Sequence, residues 1–242
     1  MIKALLLLFQ GAKFGKVLLT SGTMLLSVFT YALFWGWPFA AGFVILLFLH
    51  EMGHFIAARQ RGLDVGAPTF IPFVGAWIQL KQMPHNAETE AYVGLAGPVV
   101  GTAASLACFE LGRYTGSQML IALSYSGFML NLFNLLPLSP LDGGRVTAVI
   151  SPRLWLLGAP LLVALFFWRP SPMFLLVAVL AFPSFWKALT GKGLDTAYYE
   201  TPAQTRFNYA LAYVGLVVYL GSMTWSLHEQ LTGAAVAAGT AG

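Results

Sequence analysis

An all-α polytopic membrane protein is the fold class this sequence predicts. Of its 242 residues, 58% are hydrophobic and 9% charged, where a soluble domain carries about 25% charged residues. Apolar runs at 16–36, 38–58, 91–111, 118–136, 154–168, 172–188 and 207–227 approach the ~20 residues that cross a bilayer core. Helices must form them, because a helix satisfies its own backbone groups in lipid. The expected architecture is a six-span core, an extra C-terminal span, and a small membrane-associated β-hairpin or re-entrant segment after the second span.

The elements follow in order. MIKALLLLFQ opens the chain with one lysine and a short apolar stretch; without a small-residue cleavage site behind it, it reads as a retained interfacial or short N-terminal helix. With the N-terminus in the cytoplasm, Lys3, Lys13, Lys16, Arg59, Arg61, Lys81, Arg145, Arg153, Lys187, Lys192 and Arg206 fall inside. Only Arg113 and Arg169 fall outside, which is the bias that sets orientation. The WGWP at 35–38 then sits at the outer interface. Residues 64–90 are interrupted by Pro68 and Pro72 and rich in aromatic and β-branched residues, as expected of a short hairpin or re-entrant sheet at the cytoplasmic interface. Residues 189–206 read as a polar cytoplasmic loop, and GAAVAAGTAG at the end as a disordered tail. The domain reading is a membrane-embedded core over 1–190, followed by loop, span and tail over 191–242.

Composition also excludes functions. The net charge of +4 is not gathered into a basic cluster with an aromatic platform, so no nucleic-acid partner is expected. The single cysteine, Cys108, excludes an intramolecular disulfide framework and reads as a small core or lipid-facing residue.

The chemistry concentrates in LHEMGH at 49–54. His50 and His54 are four apart, so a helix puts both imidazoles on one face, one turn apart, suited to a single metal ion. Glu51 lies beside His50, placed to take a proton from water at the metal without joining the ligands. Ionisable residues inside a span are costly and functional by default. Catalytic zinc usually has three protein ligands and one open position, and the best third candidate is Asp142. It lies in NLLPLSPLDGG at 134–144, where two prolines and a glycine pair unwind backbone at membrane depth, tolerated only beside protein or a wet cavity. Its other reading is a cap for the helix that starts at Gly143. His85 and His228 read as solvated bystanders.

Together, His50-Glu51-x-x-His54, Asn134-x-x-Pro137-x-x-Pro140-Leu141-Asp142-Gly143-Gly144 and the intervening Gly94-Leu95-Ala96-Gly97-Pro98-Val99-Val100-Gly101 resemble the site-2 protease family of intramembrane zinc metalloproteases. The resemblance covers roughly residues 15–190. It implies one Zn2+ held by His50, His54 and Asp142, Glu51 as catalytic base, and Asn134 contacting the substrate backbone or a developing oxyanion. Asn131, one turn earlier, is a weaker candidate for that contact, and the favoured reading for it is an interhelical hydrogen bond. Gly97, Gly101 and Ala104 are expected to give a small-residue face that packs closely on the zinc helices. The implied substrates are transmembrane proteins cleaved within the lipid bilayer, and the implied location is a bacterial inner membrane. Between the motifs no stretch is long enough for an inserted PDZ domain.

Two further expectations concern mechanism. Thr69–Leu80, with Phe70, Ile71, Phe73, Val74, Trp77 and Ile78, is a candidate strand for pairing with an unwound substrate, or else a membrane-anchoring loop. The second span runs inward and carries His50 in its inner half, so the metal should lie nearer the cytoplasmic face. The competing function is a zinc-binding transporter or inactive scaffold, which has no use for a non-ligand carboxylate at Glu51.

Overall fold

The computed structural model describes residues 2–240 except 74, 78–82 and 169; for 2–14, 16, 17, 75–77 and 234–240 it describes the backbone alone. Among the described residues are eight α-helices, one 3-10 turn at Pro152–Leu154 and one two-stranded sheet: α1 Ile2–Trp35, α2 Trp37–Gln60, β1 Thr69–Ile71, β2 Gly75–Trp77, α3 Ala87–Thr115, α4 Gln118–Asn134, α5 Asp142–Ile150, α6 Trp155–Trp168, α7 Pro172–Thr190 and α8 Ala203–Thr240.

Local chemistry marks most of the boundaries. Gly36, at φ 79°, reverses the chain between α1 and α2, and Pro38 falls in the first turn of α2, where a missing N–H costs nothing. The Asn86 side chain accepts from the Thr89 N–H at 2.8 Å to cap α3, with Glu88 and Glu90 in the first turn beside the helix dipole's positive end. Gly116 in the left-handed region stops α3, and the Ser117 hydroxyl caps α4 at once. Ser171 and Pro172 start α7, and Gly191 ends it.

Among the described residues, five helices are long and apolar enough to cross a membrane: α1, α2, α3, α7 and α8. With 17 and 14 residues, α4 and α6 are shorter. At 1.5 Å per residue α4 reaches only about 26 Å, because Leu135–Leu141 leaves the helix two residues earlier than the apolar run ends. Large apolar side chains such as Leu25, Leu33, Val179 and Leu211 face outward, a surface that belongs in lipid and not in water. The chain is an integral membrane protein.

At the centre stands α3, packed against α2 on one side, α4 on another and α5 on a third. The outer helix α8 crosses α4 and α5; its Tyr213 hydroxyl donates to the Leu135 carbonyl at 2.6 Å, satisfying an acceptor exposed where α4 ends.

Three expectations change here. The N-terminal stretch and first span form one continuous helix, since neither Gly11 nor Gly15 is accompanied by a proline or cap that would break it. The C-terminal residues continue α8 as far as Thr240 instead of forming a disordered tail, their alanines being strong helix formers. The third change concerns the hairpin. Its strands pair antiparallel, Phe70 opposite Ala76, and it does not rest at one end of the helices. It runs along α1: Thr20 donates to the Pro68 carbonyl at 2.7 Å, the Phe70 N–H donates to Thr23 at 3.2 Å, and the Phe73 N–H donates to the Tyr31 hydroxyl at 2.9 Å. The tip ring, Phe73, meets Tyr31 and Phe34 edge-on. From Thr20 to Phe34 is about 21 Å along a helix. Val74 and residues 78–80 of the expected strand lie outside the described residues.

Candidate metal centre

Helix α2 delivers His50 and His54 one turn apart, both buried. Asp142, the first residue of α5, arrives from the opposite side and is 8% exposed. The three donor atoms form a nearly equilateral triangle: His50 Nε2 to His54 Nε2 is 3.1 Å, and Asp142 Oδ2 lies 3.2 Å from each. Tetrahedral zinc with bonds of about 2.0–2.1 Å places its ligand atoms about 3.3–3.4 Å apart. The triangle therefore fits a zinc ion that keeps a fourth position open. Among the described residues this is the one cluster of three His, Cys, Asp or Glu side chains able to hold a metal.

What turns both imidazoles the right way is their other nitrogen. His54 Nδ1 lies 2.7 Å from the Val93 carbonyl, which can only accept, so Nδ1 carries the proton and Nε2 presents its lone pair. His50 Nδ1 lies 2.8 Å from Asn131 Oδ1, while Asn131 Nδ2 donates to the Gly127 carbonyl at 2.7 Å, which fixes the amide's orientation. Asn131 thus makes the interhelical bond expected of it, and that bond lands on a metal-site histidine. Such partners set the tautomer and basicity of metal-binding histidines.

The glycines of α3 make this possible. A Cβ at Gly97 would fall on the His54 ring, and one at Gly101 on the Asn131 amide. The small-residue face therefore accommodates the metal-site side chains themselves as well as bringing helices close. Gly143 and Gly144 act in the same way at α5: a Cβ on either would collide with the backbone of Leu135, Leu136 or Ser139, which folds back across the helix start. That crossing places Asp142. The N-cap position of α5 falls to Leu141, and Asp142, the first helical residue, turns Oδ2 to His54 and makes no hydrogen bond to the helix backbone among the described residues.

Glu51 is buried, 7% exposed, and its carboxylate accepts no hydrogen bond from the described residues. A buried carboxylate without a protein partner calls for water or a ligand. Asn134, the last residue of α4, is partly exposed; its side chain makes no hydrogen bond among the described residues and stands outside the donor triangle. His85 is exposed, as expected of a bystander. His228 is exposed as well, as expected, and stacks on Tyr125 with ring centroids 6.1 Å apart. Arg145, read from the sequence only as a charge marker, stands between Asp142 and Glu90. Arg145 Nη1 is 3.9 Å from Asp142 Oδ1, and Arg145 Nε is 3.9 Å from Glu90 Oε1. The only sequence signal for this is Arg145's place directly after the Asp142-Gly143-Gly144 turn.

Residues 38–117 match the model of peptidase family M50. Zinc metalloprotease MJ0392 of Methanocaldococcus jannaschii is 31% identical over 130 residues, covering 52% of this chain and 37% of that protein. The Arabidopsis thaliana protein named "Probable zinc metalloprotease EGY1, chloroplastic" is 34% identical over 86 residues, covering 34% of this chain and 16% of its own length. The chain thus spans 37% and 16% of the lengths of these two curated relatives.

Proposed function

We infer that this chain belongs to peptidase family M50, whose model its residues 38–117 match, and is an intramembrane zinc metalloprotease that hydrolyses peptide bonds within or near the transmembrane segments of membrane-anchored proteins. The single observation behind this reading is the pairing of a His50–His54–Asp142 donor triangle with Glu51, a buried carboxylate that is no part of the triangle and accepts no hydrogen bond from the described residues. A transporter or structural zinc site needs the triangle but not Glu51.

Zinc held by His50, His54 and Asp142 supplies Lewis acidity, lowering the pKa of water and drawing charge from a carbonyl oxygen. The chain's own residues do the rest. Val93 and Asn131 hold the two imidazoles, Glu51 takes the proton of the attacking water, and it returns a proton to the amine that leaves. Asn134, with a free amide at the end of α4, is the proposed donor to the scissile backbone or its developing oxyanion.

A helical substrate hides its carbonyls in hydrogen bonds and must unwind first. The β1–β2 hairpin is the proposed template for the unwound strand. Its support is depth: the Phe70 ring lies 6.4 Å from that of Phe48, two residues from His50. The catalytic centre opens to the cytoplasm of a bacterial inner membrane, a reading supported by the arginine and lysine bias along the chain.

The test is reconstitution of the full chain in liposomes with a single-span substrate. Zinc-dependent cleavage that a chelator abolishes and zinc restores is expected; a protein that binds zinc yet cleaves no membrane substrate would favour the transporter or scaffold. Proline placed along Thr69–Leu80 should stop cleavage and leave zinc content intact. A cysteine placed near Asp142 should react with aqueous thiol reagents only from the cytoplasmic face, and labelling only from outside would reverse the orientation.

A further inference from the structure

Asp142 uses its two oxygens differently. Oδ2 joins the imidazoles, while Oδ1 stands 3.9 Å from Arg145 Nη1. The same guanidinium points its Nε at Glu90 Oε1 on α3, also 3.9 Å away, and Glu90 Oε2 accepts from the Tyr198 hydroxyl at 2.8 Å. Tyr198 belongs to the segment 191–202 between α7 and α8. That segment is docked on the start of α3 by its backbone too, since the Ala87 N–H donates to the Tyr198 carbonyl at 3.0 Å. Tyr199 beside it packs edge-on against Trp155, whose indole N–H donates to the Gly144 carbonyl at 2.8 Å. A line of side chains from three parts of the chain therefore ends on a metal donor.

We propose that Arg145 is a positioning residue for Asp142, held in place by Glu90 and Tyr198, so that the seating of segment 191–202 governs how tightly the site grips zinc. This inference rests on the metalloprotease reading and deepens it. The terminal torsion of a carboxylate is soft and roughly twofold. Helix α5 has nine residues, and among the described residues the Asp142 side chain makes no hydrogen bond to the helix backbone. What faces Oδ1 therefore decides whether Oδ2 stays with the imidazoles. A guanidinium suits this task because its rigid fork can address two carboxylates in fixed directions, which a lysine ammonium cannot. Arg145 and Glu90 side chains are each 26% exposed, which limits solvent screening of the pair. Helix α3 makes room for the arginine: a Cβ at Gly94 would come within 2.9 Å of Arg145 Cβ.

The experiment measures zinc affinity by chelator competition, together with melting of the metal-free protein, on the full chain in nanodiscs. Arg145→Gln should weaken zinc binding by about 10- to 100-fold, the range typical of lost outer partners of metal ligands. Arg145→Lys should recover only part of that loss. Glu90→Gln and Tyr198→Phe should each weaken binding by a smaller factor. Adding either to Arg145→Gln should cost nothing more, the signature of residues acting as one unit. Arg113→Gln, which removes an exposed arginine at the far end of α3 from Glu90, should leave affinity unchanged. Zinc affinity of Arg145→Gln within about twofold of wild type, with only the metal-free melting lowered, would overturn the proposal, because the arginine would then be structural alone. Fully multiplying losses for Arg145 and Tyr198 would overturn the coupling to segment 191–202. A wild-type chain that binds no zinc at all would instead overturn the metalloprotease reading.

Discussion

The His54 imidazole occupies the space that a side chain on Gly97 would need. The ring is clamped there from its other edge by the Val93 carbonyl, one turn earlier on the same helix α3. Gly97→Ala therefore cannot be absorbed by a small shift: either the helices separate or the ring turns away from Asp142. Overpacking of this kind costs about 1–3 kcal/mol. Zinc content measured by mass spectrometry should fall together with thermal stability, and a fully zinc-loaded, active Gly97→Ala protein would contradict the geometry.

Glu51→Gln separates metal binding from chemistry. The amide preserves shape and lies outside the donor triangle, so zinc stoichiometry should stay at the wild-type value. Removing a general base typically costs about 10²- to 10⁴-fold in rate. Cleavage of a reconstituted substrate should fall by that much. Retention of normal turnover would remove Glu51 from the mechanism.

Asn131→Ala tests how His50 is oriented. It deletes the acceptor at 2.8 Å from His50 Nδ1 and leaves the imidazole free to rotate or change tautomer. Zinc affinity should drop by about 10- to 100-fold, with KM for substrate moving less than affinity for the metal. An unaltered affinity would mean the α2 backbone alone positions the ring.

Tyr198 gives a pH signature. Burial, reinforced by the Glu90 carboxylate, raises its hydroxyl above the ordinary tyrosine range. A raised folded-state pKa contributes stability that is complete below the unfolded tyrosine value of about 10 and is lost as pH climbs toward the folded value. The melting difference between wild type and Tyr198→Phe should be level from about pH 6 to pH 9 and decline only above about pH 10. A decline near neutrality, read by thermal unfolding across that range, would show that the Tyr198–Glu90 bond is not what the difference reports.

Much of the site is legible in residues that lie close in the chain. The four-residue spacing of His50 and His54 puts both rings on one helix face whatever surrounds them, and Glu51 is fixed relative to them by the same helix. Breaks at Gly36, Asn86, Gly116 and Ser171 are equally local, because capping and left-handed turns involve only neighbouring residues. The hairpin's path was not legible. Its pattern permits a short strand pair, but its course from Thr20 to Tyr31 depends on two threonine hydroxyls and a tyrosine on a different element. The length of α1 and α8 was missed for a related reason: apolar periodicity marks where lipid ends, not where a helix does.

What the sequence determined by itself is a membrane-embedded, all-helical chain with two histidines and a carboxylate on one turn. What the tertiary structure decided is everything that closes the site. Asp142 lies 88 residues from His54, and Tyr198 lies 108 from Glu90. No periodicity or capping rule acts over such separations. The contacts exist because α3 is carved by glycines at 94, 97 and 101, so that α2, α4 and α5 approach one axis and bring their donors within 3.2 Å.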